Sequence, residues 1–408
     1  MIRATALRGS PVAIFDNYWA TTLAFTRSLG RKGVPLHFYG RGAGQWSRYR
    51  THRLDCPPVE NAGEFQPWLQ EQVRSGAIMR IAPTTDLIAY YTSALRAEFP
   101  PEVQRTIAPL QEIENCLIKT RFARASDIPG HAILPTAAPD SLEGARSAAA
   151  SLGYPLILKP KSHLVVGFVE RGRLLFDEKD LDRHYRRYDV APGQQCIADA
   201  YPELCWPLLQ RYIPSARNRV YSISGIKDAD GGIVTASVSF KREQWPPDVG
   251  VSLVQIAHED ARILESGLLI VNKVLSRGIF EVELLADGDA LYAIDLNPRS
   301  FGFIELDMAR GANLPWLWFC STLERLEPQM QPPTSVQMEA RHRFMYLLRA
   351  IAHPRLSRAP ATERRDDRRR RSTVSMLGHW SDPLPMIISN LKLLRHPRSL
   401  LRSVTALS

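Results

Sequence analysis

Phe280-Glu-Val-Glu-Leu-Leu-Ala-Asp-Gly-Asp-Ala-Leu-Tyr-Ala-Ile-Asp-Leu-Asn-Pro-Arg299 is the stretch whose reading decides the fold. Two apolar runs, Phe280–Leu285 and Ala290–Leu296, flank Asp287-Gly288-Asp289, a strong hairpin turn signal. Strand alternation puts Glu281 and Glu283 on one face of the first run, and Asp295 and Asn297 on one face of the second. The hairpin can then bring Glu283 beside Asp295 and Asn297. Three hard oxygen donors on a rigid ribbon suit Mg²⁺, which takes few protein ligands and leaves positions for phosphates. Pro298 ends the strand. Arg299 follows it, where a guanidinium can hold a phosphate or a developing oxyanion. A solvated acidic hairpin has the same pattern, so this stretch alone leaves both readings open.

Working outward, Pro155-Leu-Ile-Leu-Lys159-Pro160 is a buried strand that ends on a lysine. Lys119 lies forty positions earlier, in Cys116-Leu-Ile-Lys-Thr-Arg-Phe122. Each lysine can meet a phosphate or simply snorkel from a strand end or a helix surface. Leu208-Leu-Gln-Arg-Tyr-Ile213-Pro214 is an apolar strand leading to a proline turn. Its backbone can face a purine edge, or it can be an ordinary edge strand.

The N-terminal part reads as strand, helix, strand: residues 11–16, an amphipathic helix carrying Leu23, Ala24, Phe25 and Leu29, then residues 34–39. Helices over 63–75 and 86–97 and a strand near Ile78–Pro83 continue the pattern. Residues 1–112 are therefore expected to form a small open α/β domain. Gly9, Gly40, Gly42 and Gly44 do not make the arrangement that cradles a dinucleotide, so no nicotinamide cofactor is assigned. Residues 113–327 read as α+β, with helices over 113–125, 140–152 and 259–276. Further strands are expected at Arg219–Ser224 and Ile233–Phe240. Residues 328–408 read as a mainly helical basic extension, with a helix over 339–352 and a basic loop over 357–372. Ile387, Ile388, Leu391 and Leu394 stand at helical spacing among Lys392, Arg395 and Arg398. That last segment can dock on the body or lie on a membrane surface.

Composition narrows the function classes. With 45% hydrophobic and 23% charged residues the chain can bury real cores, so global disorder is excluded. No apolar run reaches spanning length, and no apolar signal region precedes Asp16, so a cytoplasmic or peripherally membrane-bound protein is expected. Five scattered cysteines without a C-x-x-C pair support neither a disulfide framework nor a zinc site. The net charge of +10 is concentrated around Arg355 to Arg371, yet no nucleic-acid motif accompanies it, so nucleic acid is not the expected partner.

Taken in order, Lys119, Pro155–Pro160, Leu209–Pro214, Glu283 and Asp295-Leu-Asn-Pro-Arg299 resemble the ATP-grasp superfamily, with Gly311-Ala-Asn-Leu-Pro315 as its usual continuation. The resemblance covers roughly residues 113–325. It is strongest to predicted carboxylate–amine ligases, a group similar to carbamoyl-phosphate synthase and to D-aspartate ligases. It implies a small N-terminal α/β domain followed by two α+β subdomains that clasp ATP. By the same resemblance Lys119 and Lys159 contact the α- and β-phosphates, and Gln210, Arg211, Tyr212 and Ile213 hold adenine. Glu283, Asp295 and Asn297 bind one or two Mg²⁺ ions, replaceable by Mn²⁺. Arg299 stabilises the transferring phosphoryl group, with Lys241 and Arg242 as further candidates for the γ-phosphate or the carboxylate. The implied reaction has two steps: a carboxylate attacks ATP to give an acyl-phosphate and ADP, then an amine displaces phosphate. Small-molecule substrates and a homodimer are implied as partners.

The chain departs from the family pattern at four places. The second metal carboxylate is Asp295 rather than Glu. The loop Lys161–Gly167 carries a single glycine where the family uses several over the phosphates. Arg211 stands where an acidic residue is common. No acidic ribose ligand is evident in Ser215–Arg219; Arg217 and Arg219 are candidates for an anionic substrate instead. The changes at the hinge, the lid loop and Asp295 keep open a regulatory nucleotide-binding protein without catalysis; a carboxylase or kinase of the same fold is a separate alternative. No biotin carrier segment with a Met-Lys-Met target is present.

Overall fold

The computed structural model describes residues 11–15, 19–40, 42–128, 131–166, 172–214, 219–245, 248–323, 338–341, 372–376 and 378–388. The chain opens with β1 (Val12–Phe15), α1 (Trp19–Arg31), β2 (Leu36–Tyr39) and β3 (His52–Leu54), a parallel three-stranded sheet in the order β1-β2-β3. α2 (Ala62–Arg74) and α3 (Asp86–Ala94) follow. The strand expected near Ile78–Pro83 shrinks to one parallel bridge, Ala13 to Ile81. The Ala13 amide donates to Arg80 O at 2.8 Å and Ala13 O accepts from Ala82 at 3.0 Å. Pro83, with no N–H to donate, stops the pairing there.

The expected helix over 113–125 is two helices, α4 (Leu110–Leu117) and α5 (Lys119–Ala125). Ile118 breaks them with φ −102° and ψ 104°. The break lets the Lys119 amide donate to Lys161 O at 2.8 Å, which ties α5 to the chain just beyond the next sheet. That sheet comprises β4 (Thr136–Ala137), β5 (Leu156–Pro160), β6 (Arg173–Leu175) and β7 (Pro207–Arg211), antiparallel in the order β4-β7-β5-β6. With α6 (Leu142–Leu152) it encloses its own small core of Ala145, Ala149, Leu156, Leu158, Leu175 and Leu209.

The main sheet has seven strands in the order β12-β11-β8-β9-β10-β13-β14. They are β8 (Val220–Lys227), β9 (Ile233–Trp245), β10 (Val251–His258), β11 (Gly278–Asp287), β12 (Ala290–Asn297), β13 (Met338–Arg341) and β14 (Ser372–Ser375). β10 was not anticipated; its partner β9 runs on to Trp245, past the Phe240 expected, and Pro246, Pro247 and Gly250 read as a loop. α7 (Ala261–Val274) covers one face of the sheet through Ile263, Ile270, Val271 and Val274. Gly267 allows the close approach: a Cβ there would lie 2.6 Å from Ile223. α8 (Ile304–Ala309) and the wholly buried α9 (Leu314–Ser321) complete the body, with Trp318 edge-on to Phe25 of α1 at 5.5 Å. One continuous core joins Val12, Phe25 and Phe38 of the N-terminal unit to Phe301, Leu306 and Phe319. Among the described residues no helix is long and apolar enough to cross a membrane.

The extension differs from its reading. Met338–Arg341, at the start of the helix expected over 339–352, is a strand antiparallel to β10, and β14 adds parallel to it. An open sheet edge satisfies backbone groups that helical propensity alone does not weigh. Residues 342–371, including most of the expected basic loop, lie outside the described residues, as do Leu391 and Leu394. Beyond β14 the chain returns to the N-terminal unit through Asp382, which is 1% exposed. Its carboxylate accepts from Arg27 Nε at 3.2 Å, Ser47 Oγ at 2.8 Å and the Arg48 amide at 3.0 Å. Arg27 is itself 1% exposed and also lies 3.9 Å from the Glu305 carboxylate, so Asp382, whose ion pair is with Arg27, is the member of the pair that depends on it. Arg27→Met should therefore destabilise the protein by about 3–5 kcal/mol, the cost of breaking a buried pair and leaving the Asp382 carboxylate without its ion-pair partner. A thermal midpoint equal to that of the wild type would show that this pair does not hold the segment.

Candidate functional site

The β11–β12 hairpin forms the floor of the site. Its turn pairs Asp287 with Ala290, with Gly288 left-handed at φ 58°. Continued without interruption, that register would set Glu283 opposite Ile294 and Asn297 opposite the buried Phe280. A β-bulge between Glu283 and Leu284 takes up one residue, so Glu283 faces Asp295 and Glu281 faces Asn297. The expected juxtaposition of Glu283, Asp295 and Asn297 exists because of that bulge.

Each carboxylate of the front pair is met by a lysine from another element. Lys119, the first residue of α5, donates from Nζ to Asp295 Oδ1 at 2.9 Å. Lys241 of β9 donates from Nζ to Glu283 Oε1 at 2.6 Å. Lys159, near the end of β5, makes no hydrogen bond or ion pair among the described residues, although Lys119, Asp295, Glu283 and Lys241 all act on it. Burial, then the Lys119 charge, pull Lys159 down to about 8. Burial alone would raise Asp295, but the charge and hydrogen bond of Lys119, together with Lys159 and His163, hold the carboxyl below its usual range. Burial would likewise lower Lys241, and Glu283 reverses it. His163 was not singled out from the sequence; no motif marks it.

Behind the front pair lies Glu281, 2% exposed. Burial, then the Glu283 carboxylate, push it up to about 7. Its Oε2 accepts from Asn297 Nδ2 at 2.6 Å, while Oε1 makes no hydrogen bond. Asn297 Oδ1 accepts from Arg299 Nη2 at 2.8 Å. Arg299 is fixed further by Nη1 donating to Ser300 O at 2.8 Å and Nε donating to Asp86 Oδ1 at 2.5 Å. Asp86 opens α3, where Thr85 caps the helix by accepting from the Ile88 amide. Sequence reasoning missed Asp86 as a site residue: it stands 213 positions from Arg299, and its only local signal is that of a helix start. Glu281 was placed on the right face but left out of the ligand set.

The remaining candidates are distributed as follows. Arg242 does not join Lys241; it pairs with Glu339 at 3.4 Å and Glu243 at 3.7 Å. Gln210 lies between β4 and β5 in the ladder, and its side chain donates to Thr136 Oγ1 at 2.9 Å. Arg211 is exposed and turns away to Leu152 O. Tyr212 and Ile213 follow directly, beyond the end of β7. A cleft lined by Lys119, Phe122, His131, Leu208, Gln210 and Ile294 opens beside Lys119; Tyr212 and Ile213 do not line it. Arg217 and Gly167 lie outside the described residues.

Among the described residues, no three His, Cys, Asp or Glu side chains close into a ready-made metal cage. The donor set nevertheless fits a hard divalent cation. It consists of oxygens on two adjacent strands, and the buried Glu281 Oε1 lacks a partner. Chemically, the site is a cluster of cations and carboxylates in which Lys159 has no direct partner among the described residues, arranged to receive a polyanion together with a cation.

No protein-family model and no curated protein matches the sequence. Solved structures do match. A biotin carboxylase–beta-gamma-ATP complex from Campylobacter jejuni is 16% identical over 78% of this chain and 72% of its own, with a TM-score of 0.60. An L-amino acid ligase from Bacillus licheniformis is 16% identical over 80% and 78%, TM-score 0.57. The biotin carboxylase domain dimer of Hydrogenobacter thermophilus 2-oxoglutarate carboxylase, crystallised with MgADP and bicarbonate, is 16% identical over 78% and 71%, TM-score 0.58. The chain has the ATP-grasp fold.

The lowered Lys159 makes a signed prediction. Below pH 8 its ammonium is already present, so anion affinity should be flat with pH. Above pH 8 an anion must bring a proton with it, so tripolyphosphate affinity should fall, approaching tenfold per pH unit. Calorimetry at pH 7, 8 and 9 checks this, and Lys159→Met should abolish the slope. An equal slope in the variant would assign the titration to another group.

Proposed function

We propose that the chain is an ATP-dependent carboxylate–amine ligase acting on small molecules through an acyl-phosphate. The observation that carries this reading is Lys159, a cation without a hydrogen-bonding partner among the described residues, beside two lysine–carboxylate pairs. A triphosphate would supply the missing counter-charge. Lys119 and Lys159 would bind its oxygens, and Lys119 would then release Asp295. Glu283 and Asp295, with Glu281 and Asn297 behind them, would hold Mg²⁺. Bound Mg²⁺ would offset charge on the β- and γ-phosphates and so ease phosphoryl transfer.

The protein's own part is positioning and charge. The cleft beside Lys119, which Leu208 and Gln210 of β7 line, would receive the base, with Tyr212 and Ile213 following in the chain. Arg299 is held on three sides by Asp86, Asn297 and Ser300 O, so its guanidinium is oriented before any substrate arrives. It would steady the negative charge that develops on the transferring phosphoryl group. Lys241 is tied to Glu283 and would turn to the carboxylate substrate once the metal occupies that ligand. The amine then displaces phosphate, and the C–N bond replaces the C–O bond of the acyl-phosphate. No covalent nucleophile is required of the protein. Arg242, engaged by Glu339, is given no part in this reading.

Calorimetric titration of ATP with and without Mg²⁺ tests the proposal. Wild type should bind saturably, and Mg²⁺ should tighten binding at least tenfold. Asp295→Ala should lose that Mg²⁺-dependent gain, whereas Lys159→Met should weaken binding with and without the metal. ADP release should then depend on an added carboxylate and amine. Nucleotide binding by a folded wild type without such dependence, across a broad substrate panel, would favour the regulatory alternative. Absence of nucleotide binding would end the reading.

A further inference from the structure

Residues 378–388 carry a second, independent surface. Their polar side faces the body: Asp382 reaches Arg27, Ser47 and the Arg48 amide. Ser381 accepts from Arg31 Nη2 at 3.1 Å, and the His379 ring lies within 2.7 Å of the same nitrogen. With those contacts spent inward, the apolar side is left in water. Trp380 is 97% exposed, Leu384 52% and Ile387 44%. Leu384 and Ile387 are three positions apart in the helical turn over 384–388 and so share a face. Trp46, 44% exposed, precedes Ser47 and belongs to the same neighbourhood.

Cations predominate around this apolar group, since the Glu305 carboxylate behind Arg27 is largely buried. Arg31, Lys32 and Arg48 form no ion pair among the described residues, and their partners are neutral: Tyr49, Ser381 O and the Trp316 ring. The one nearby carboxylate on the segment, Asp382, is buried and already neutralised by Arg27. Positive potential there is visible in neighbouring groups. Burial first, then Arg31 and Arg27, lower His379. Beyond Ile388 the sequence continues the composition, with Lys392, Arg395, Arg398 and Arg402 among Leu391, Leu394, Leu400 and Leu401.

An exposed tryptophan and two aliphatic side chains, ringed by unpaired cations, match the chemistry of an anionic lipid surface. The indole and aliphatic groups enter the headgroup boundary while the cations meet the lipid phosphates. We propose that the face formed by Trp46, Trp380, Leu384 and Ile387, with Arg31, Lys32 and Arg48 around it, binds the surface of an anionic bilayer. The buried Asp382 clamp turns this face outward, so the contact is fixed relative to the body rather than carried on a loose tail. This inference does not rest on the proposed reaction.

The full chain is floated with vesicles of phosphatidylcholine alone or with about one phosphatidylglycerol in three lipids, a composition at which surface charge dominates. Partition into the anionic vesicles should be at least tenfold higher, and most of it should be lost when salt is raised to about 0.5 M, where charges are screened within a few ångströms. The double variant Leu384→Asp/Ile387→Asp should lose at least tenfold in partition with its thermal midpoint unchanged. Trp380→Phe should reduce quenching by brominated lipid. Equal partition into both vesicles, or none, overturns the proposal. A double variant that binds as the wild type does would also overturn it, because the basic sequence beyond Ile388 would then suffice. A double variant that turns a dimer into a monomer in sedimentation overturns it as well, assigning the face to a second copy of the chain.

Discussion

Lys119 and Asp295 stand 176 positions apart and meet at 2.9 Å, and the surrounding structure is arranged around the need to pair such charges away from water. Desolvating an isolated ion costs far more than a domain's net stability, so buried charges persist only in company. Lys119 brings α5, Lys159 brings the four-stranded sheet, Lys241 brings β9, and Asp295 and Glu283 bring the hairpin. The meeting of two sheets with separate cores is thus placed at one electrostatic cluster. Lys159, lacking a direct partner there, is the point at which the cluster remains incomplete in charge.

Arg299 shows how far the support extends. Its Nε is held by Asp86, from the N-terminal unit, and its Nη2 by Asn297, from the hairpin. The N-terminal unit is therefore not an appendage. It shares a continuous core with α8 and α9 and supplies one side of the guanidinium's cage. The C-terminal extension enters the same framework by two routes: β13 pairs with β10 at the sheet edge, and Asp382 pairs with Arg27 of α1. Anchoring of this kind explains how a segment rich in exposed apolar groups can hold a defined orientation.

Local signals were legible where one short stretch contains its own instructions. The hairpin is marked by Asp-Gly-Asp between alternating strands, and α7 falls within the helix expected over 259–276. The lysine on β5 stands out because a buried strand ends in Lys-Pro. What stayed hidden depended on partners distant in sequence. Nothing in Asp86 announces Arg299, and nothing in Met338–Arg341 shows that an unpaired strand edge is waiting for it. The single bridge at Ile81 and the break at Ile118 are likewise set by what the backbone meets, not by residue preference.

By itself the sequence determined the classes of element, the residues available for chemistry and the order in which they occur, because turn chemistry and periodicity act over a few residues. The tertiary structure decided which of those residues meet. The bulge opposite Glu283 moves Asp295 and Asn297 into register, since a two-residue turn alone would have set Ile294 there. Arg242 was drawn to Glu339 and out of the site, because a buried carboxylate on an added strand offers a guanidinium a nearer partner, at 3.4 Å, than Glu243 of its own strand, at 3.7 Å. Long-range electrostatics in a dry interior select among contacts that local sequence leaves equivalent, and that selection is made only when the whole chain has packed.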